Sequence, residues 1–253
     1  VAKELHFRGL KINPITFDEA VLESKRLIRE RGHQVVGLNA SKVNLCEKSQ
    51  ELKNLTNESS MVHADGIAVV WALRMLGHKV PARIAGIDLM HALVEEAAKA
   101  SYGIYLLGAR QEVVDSVEKS FTSLGARVVG KQNGYWEPSQ EAQVVSDIAE
   151  KTPDILFIAI PSPEKEFFVG RNIQNLNCGL VLGVGGSFDV VAGVTKRAPL
   201  LMQKIGLEWL FRLAQEPRRL FKRYLYGNTY FIYLVFAQFF SEAKSRYSNV
   251  GRK

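Results

Sequence analysis

Leu180-Val-Leu-Gly-Val-Gly-Gly-Ser-Phe-Asp189 runs from unbroken apolar residues into glycines and then into a short polar pair. Leu180–Gly183 reads as a strand buried on both faces, because no polar residue alternates with the apolar ones. Gly185 and Gly186 then let backbone amides approach a diphosphate, while the helix that follows offers its positive end. A plain strand-to-helix turn, with Ser187 or Asp189 as the cap, accounts for the same residues. The stretch is not a dinucleotide fingerprint, since Phe188 stands where GxGxxG requires its last glycine.

The same form recurs along the chain. Gln34–Asn39, Ile104–Gly108 and Ile155–Ile160 are further short apolar runs that end at turn residues or proline. Between them, Phe17–Arg31, Asp88–Ala100, Glu112–Leu124 and Gln140–Lys151 carry apolar residues three and four apart, and Thr16, Asp88 and Ser139 suit helix caps. Helices alternating with buried strands predict an α/β, Rossmann-like fold: a mainly parallel sheet covered by helices on both faces, over residues 1–195. After Gly206 no further strand is expected. Gly206–Gln215 reads as one helix and Pro217–Tyr226 as another that Gly227 stops, with Asn228 capping a last, aromatic-rich helix. Residues 196–253 are thus expected to form a helical appendage.

Charge divides the chain at the same place. Lys196–Lys253 holds twelve Lys/Arg against three Glu, or +9, which leaves −2 for residues 1–195 of a chain whose net charge is +7. Half of the aromatic residues lie in that last segment too, a composition suited to an anionic membrane surface or to nucleic acid. Its longest apolar run, Tyr230–Phe240, would reach about 16 Å as a helix, against the ~30 Å of a hydrocarbon core, so it cannot span a bilayer. A helix packed on the core or on a second subunit would use the same apolar face. No secretory leader is read in Val1–Leu10, where charged residues interrupt the apolar ones. Cys46 and Cys178 are isolated, with no CxxC pair and no zinc spacing, which fits a reducing compartment.

Ligands of an open parallel sheet bind beyond the carboxyl ends of its strands. His63-Ala-Asp65-Gly66 could place a carboxylate there as a general base, although Asp-Gly is equally a turn pair. Arg83, in the loop Lys79–Gly86, offers a fixed fork to a phosphate or a solvated cation. Pro161-Ser-Pro-Glu-Lys-Glu166 has the composition of an ordinary helix start. His33, His63 and His91 are scattered, and no DxD-type metal pair is evident.

Taken in order, Asn39, Ala64-Asp-Gly66, Arg83-Ile-Ala-Gly-Ile-Asp-Leu89, Tyr105-Leu-Leu-Gly108, Asn133-Gly-Tyr135, Gly183-Val-Gly-Gly-Ser-Phe-Asp189, Lys196-Arg-Ala-Pro199 and Gly206-Leu-Glu-Trp-Leu-Phe-Arg-Leu-Ala-Gln-Glu-Pro-Arg-Arg219 resemble the WecG/TagA/CpsF glycosyltransferases. These are bacterial enzymes of teichoic acid, enterobacterial common antigen and exopolysaccharide synthesis. The resemblance covers nearly the whole chain. It implies inverting transfer of a hexosyl unit (N-acetylmannosamine, its uronic acid or glucose) from a UDP-sugar to a sugar on undecaprenyl diphosphate. The work would be done peripherally at the cytoplasmic face of the inner membrane, with no nucleic acid, and the lack of a DxD-type pair near the proposed diphosphate site points to a mechanism with no metal cofactor. By carry-over Asp65 is the base. Asn39, Arg83, Lys165, Arg212, Arg219 and Arg223 lie by the acceptor or a diphosphate, and Gly108, Tyr135, Gly185, Gly186 and Asp189 lie by the UDP. One departure stands out: the family commonly reads Pro-Lys-Gln-Glu where this chain has Pro163-Glu-Lys-Glu166, so Lys165 replaces a Gln on the pocket side and leaves the sugar open. Two competing readings are a nicotinamide-dependent oxidoreductase, from the Rossmann-like rhythm, and a nucleic-acid-binding protein, from the basic tail.

Overall fold

The computed structural model describes residues 4–250, and of Arg219, Arg223 and residues 245–250 the backbone alone. The chain opens with a hairpin of β1 (Leu5–Phe7) and β2 (Leu10–Ile12), followed by α1 (Phe17–Glu30) and β3 (His33–Leu38). Thr16 caps α1 as expected, in a reciprocal capping box with Glu19. Next come α2 (Ala40–Lys48), α3 (Gln50–Glu58), β4 (Met61–Ala64), α4 (Ile67–Met75) and α5 (Gly86–Ala100). The second half supplies β5 (Gly103–Gly108), α6 (Gln111–Ser123), β6 (Arg127–Gln132), α7 (Glu141–Lys151), β7 (Ile155–Ala159), α8 (Glu164–Asn172), β8 (Leu180–Gly183) and α9 (Ser187–Val191). Three helices end the chain: α10 (Leu200–Lys204), α11 (Glu208–Gln215) and α12 (Pro217–Val250).

Strands β3 to β8 form one parallel six-stranded sheet in the order β4-β3-β8-β7-β5-β6. Successive strand residues feed opposite layers. Val35, Met61, Ile104, Leu106, Ile155, Phe157, Leu180 and Leu182 join one core with α1, α5, α6 and α9. Their neighbours Val36, Leu38, Val62 and Ala64 pack under α2, α4 and the hairpin, and Tyr105, Leu107, Leu156, Ile158 and Val181 pack under α7 and α8. Burial on both faces is why these strands read as continuous apolar runs.

The chain leaves β3 toward the α2 layer but leaves β8, its neighbour in the sheet, toward the α9 layer. The topological switch point therefore falls between the carboxyl ends of β3 and β8, where open α/β sheets are expected to hold the ligand crevice.

Several boundaries differ from the expectation. The helix expected from Asp88 starts two residues earlier, at Gly86, with Ala85 as N-cap; Asp88 lies in its first turn. Ser139 lies inside a 3-10 turn, Pro138–Gln140, that precedes α7. Gly206 is a turn residue at φ +78° and α11 begins only at Glu208. Gly227 does not stop a helix, and Asn228 caps nothing: α12 runs unbroken through both. Tertiary packing carries it past the glycine. Asn44 of α2 donates to the Gly227 carbonyl at 2.7 Å, and Phe231, Leu234 and Val235 are buried against the hairpin layer, Phe231 edge-on to Phe7.

Candidate active site

Asp65 follows β4 directly and leans over β3. A methyl group on Gly37 would sit 3.0 Å from the Asp65 Cβ and 3.2 Å from His63 Cε1, so the absence of a side chain there makes room for both residues. Asp65 Oδ1 accepts the Gly86 amide proton at 2.9 Å, at the start of α5. Among the described residues no group hydrogen-bonds to Oδ2. Beneath it, His63 is fully buried and neither ring nitrogen has a hydrogen-bond partner. Burial, reinforced by Lys42, holds the imidazole pKa at about 4 against the pull of Asp65, so it is neutral at pH 7.

Asn39 is the N-cap of α2, its side-chain oxygen accepting the Lys42 amide at 3.0 Å. A methyl group on Gly66, the N-cap of α4, would strike Asn39 Cβ at 2.9 Å, so the two helix starts pack directly together beside Asp65.

Three ionic residues meet on the α8 side of this edge. Lys42 and Glu166, both buried, form an ion pair, and the Ser162 hydroxyl donates to the same carboxylate oxygen, Oε1, at 3.1 Å. Lys165 Nζ reaches that oxygen only at 3.6 Å. The Lys165 side chain lies across the end of β8, its Cε 2.7 Å from where a Gly183 Cβ would be. Burial and the neighbouring Lys42 lower its pKa to about 8 against the opposing carboxylates of Glu166 and Asp65. Lys42 and Glu166 were not singled out in the sequence. A lysine in a first helical turn and a glutamate at an ordinary helix start give no warning of burial; only the crossing of α2 and α8 over one strand edge brings them together.

The glycine turn after β8 lies next to this group. Gly185 takes φ +51°, and the space beside its Cα is open. Over Gly186 stands Arg212 of α11, with Nη2 3.4 Å and Asp189 Oδ2 3.8 Å from the position of a Gly186 Cβ. Gly108, at φ +113°, ends β5 against the backbone of Ala159, and Gly134 packs on Gly108 in turn. The neighbouring Tyr135 is 74% exposed, with its ring outside this packing.

The last helices are tied to the sheet edge by charge. Arg83 Nη2 donates to Glu208 Oε2 at 2.9 Å. Arg197 places Nη2 2.7 Å from Asp88 Oδ1 and Nε 4.0 Å from Glu208 Oε1. A Cβ on Gly206 would meet Ile67 of α4 at 2.8 Å, so the turn before α11 sits directly on the helix that follows Asp65. Of the expected arginines, the structure brings Arg83 and Arg212 to this edge; the side chains of Arg219 and Arg223 lie outside the described residues.

Among the described residues no three of His, Cys, Asp and Glu come together as a metal site would require. Nor is any described helix long and apolar enough to cross a membrane. The buried strands, the carboxylate at the end of β4 and the glycine turn after β8 coincide with a family match extending over residues 5–245, to the Glycosyl transferase WecG/TagA/CpsF family. This decides between the readings of the sequence: the chain belongs to that family and is a glycosyltransferase of cell-surface polysaccharide synthesis.

Proposed function

We propose that the chain moves a hexosyl unit from a UDP-sugar to a sugar carried on undecaprenyl diphosphate, with inversion at the anomeric carbon. The observation that carries the reading is the placing of Asp65: one carboxylate oxygen is fixed by Gly86 and the other has no hydrogen bond among the described residues, with the end of β3 lying between it and the Gly185-Gly186 turn that follows β8. The acceptor hydroxyl attacks the anomeric carbon as the bond to the UDP oxygen breaks, and its proton passes to Asp65 Oδ2. A positioned base of this kind contributes roughly 10²–10⁴ in rate. Charge that develops on the departing diphosphate meets the amides of the turn and the Arg212 guanidinium, preorganised dipoles and charge of the kind that stabilises leaving groups. Arg83 and Asn39 border the acceptor side, and Gly108, Tyr135 and Asp189 the nucleotide side.

In this reading no metal is used, since the arginine and the turn amides take the leaving-group charge. The exposed face of α12, with Ile232, Tyr233, Phe236 and Phe240, rests on an anionic membrane, where apolar burial and basic residues at about 1 kcal/mol each both contribute. A second copy of the chain is the other occupant that face would suit.

UDP release measured with a panel of UDP-sugars and a short-chain lipid-diphosphate sugar tests the reaction. Release that requires both substrates and collapses in Asp65→Asn is expected. Release that survives the substitution moves the base elsewhere, and activity lost to a chelator and restored by Mg²⁺ or Mn²⁺ overturns the metal-free reading. Failure of the protein to sediment with anionic liposomes removes the membrane contact.

A further inference from the structure

We infer that the cavity between the N-terminal hairpin and α12 is a phosphoryl-group site, in which Arg8 and Lys53 hold the phosphate of a phosphate ester. The site is apart from the crevice: Glu47, which both cations grip, lies toward the opposite end of α2 from Asn39, about 12 Å along the helix axis. It stands on its own observations and draws nothing from the transfer chemistry above.

Arg8 and Gly9 form the two-residue turn between the paired Phe7 and Leu10, and both are left-handed, at φ +53° and +74°. A turn of this kind favours Asn or Gly at its first position, so an arginine there carries backbone strain that its contacts have to offset. Two sets of contacts do so. The Arg8 amide donates to Gln238 Oε1 at 2.8 Å, while Nε and Nη2 donate to Glu47 Oε2 at 3.1 and 2.7 Å. Lys53 Nζ, on α3, donates to the other oxygen of that carboxylate, Oε1, at 2.8 Å. Burial pushes the Glu47 carboxyl up, but the bonds from Lys53 and Arg8 outweigh it and hold the group below the ordinary glutamate range. One ionised carboxylate thus serves two cations, and the cluster keeps one positive charge.

These three residues line a cavity of about 390 Å³ together with His6, Gln238 and Ser241. Glu47 takes one edge of the guanidinium. Among the described residues Arg8 Nη1 has no hydrogen-bond partner, and the Lys53 ammonium has made one of its three bonds. Donors therefore come from the hairpin turn, from α3 and, through the Ser241 hydroxyl, from α12. A tetrahedral phosphate offers three oxygens in different directions, whereas a planar carboxylate offers two in one plane. Because Glu47 already fixes both cations, little ordering is left for a ligand to impose. The next carboxylate along α12, Glu242, does not line the cavity and accepts from Gln238 Nε2 at 2.8 Å. Directly after Gln238, Phe239 and Phe240 are exposed. A phosphate carried on a diacylglycerol would leave its chains beside them; a small soluble ester needs no such neighbour.

The test is calorimetric binding to the full-length protein of three probes: sn-glycerol 3-phosphate, monomeric dihexanoyl phosphatidylglycerol, and glycerate as the carboxylate control. At least one phosphate ester is expected to bind ten-fold or more tightly than glycerate. Arg8→Asn, which keeps a residue suited to the left-handed turn, and Lys53→Gln, which leaves the bond between Arg8 and Glu47 in place, each weaken that binding ten-fold or more. Lys11→Gln removes a charge from the same hairpin outside the cavity and changes it by less than two-fold. Tighter binding of the lipid than of glycerol phosphate assigns the site to a lipid headgroup, and equal or weaker binding assigns it to a soluble ester; either supports the site. Absence of binding by both esters, glycerate binding as tightly as they do, or an affinity that survives either Arg8→Asn or Lys53→Gln overturns it.

Discussion

The Arg83 guanidinium donates to Glu208 Oε2, so that the loop before α5 and the first turn of α11 share one charged hydrogen bond. Arg197 approaches the other oxygen of the same carboxylate at 4.0 Å. One glutamate thus holds two arginines, one from the sheet edge and one from the segment leading into the last helices. Glu208→Gln keeps the shape and removes the charge. It is expected to lower stability by about 1.5–3 kcal/mol, the range for hydrogen bonds to charged groups. It should also speed tryptic cleavage at Lys196, Arg197 or Lys204 and reduce UDP release roughly ten-fold, since Arg212 rides on the same helix. Cleavage and turnover at the parental rates would show that α11 is held by something else.

Gly37→Ala tests the seat of Asp65. The added methyl would stand 3.0 Å from Asp65 Cβ and 3.2 Å from His63 Cε1, and His63 is fully buried. Overpacking of this kind costs about 1–3 kcal/mol. A displaced base costs more in rate than in stability, up to about 10²-fold for 1 Å. A urea melt and a turnover assay on the same preparation separate the two effects. Unchanged turnover would mean that Asp65 is not the base or that it tolerates the shift.

His63 supplies a pH signature. Burial sets its pKa in the folded protein at about 4, below the ordinary value of 6.5, so between these values the unfolded chain binds the extra proton. Its contribution to stability is present in full above pH 6.5 and is lost as the pH falls toward 4. Denaturant midpoints measured across that window should decline in the parent and much less in His63→Asn. Parallel curves for the two proteins would remove His63 as the cause.

Glu166→Gln leaves Lys42 buried beside a neutral amide, a change that costs about 3–5 kcal/mol. Lys42→Met combined with Glu166→Leu should recover most of that loss, because two apolar groups need no partner. Burial raises the Glu166 pKa, but Lys42, Lys165 and the Lys42 and Ser162 hydrogen bonds outweigh it, and the folded value lies below 4.5. The stabilisation is therefore complete above the ordinary glutamate range and disappears as pH falls through the lowered folded value, a window more acid than that of His63. A double variant less stable than Glu166→Gln would refute this account.

The strands from His33, Gly103, Ile155 and Leu180 were legible because burial on both faces leaves an uninterrupted apolar run, and Thr16 was legible because a cap acts within four residues. The edge strand β6 was not: Arg127, Lys131 and Gln132 are the composition of a strand with a partner on one side only. Gly227 misled for a related reason, since the contact that carries the helix past it comes from Asn44, nearly two hundred residues away in the chain. At the site, Asp65 and Gly186 carried a local signature. The buried pair of Lys42 and Glu166 carried none, because each is unremarkable alone and only their meeting is informative.

One helix joins the two ends of the molecule's task. α2 starts at the Asn39 cap, holds Lys42 within its first turn, and fastens to α12 through Asn44. Along α12 the inward stripe Gly227, Phe231, Leu234 and Gln238 fixes the rotation of the rod, Gln238 by accepting the Arg8 amide at 2.8 Å. The azimuth of the outward aromatics relative to the crevice is therefore locked. Each residue of an α-helix turns by about 100°. A single residue inserted after Val235 would swing Phe239 and Phe240 around the axis while Asp65 stayed in place, and on the membrane contact proposed above the enzyme would meet its lipid-borne acceptor at the wrong bearing with the residues of the crevice intact.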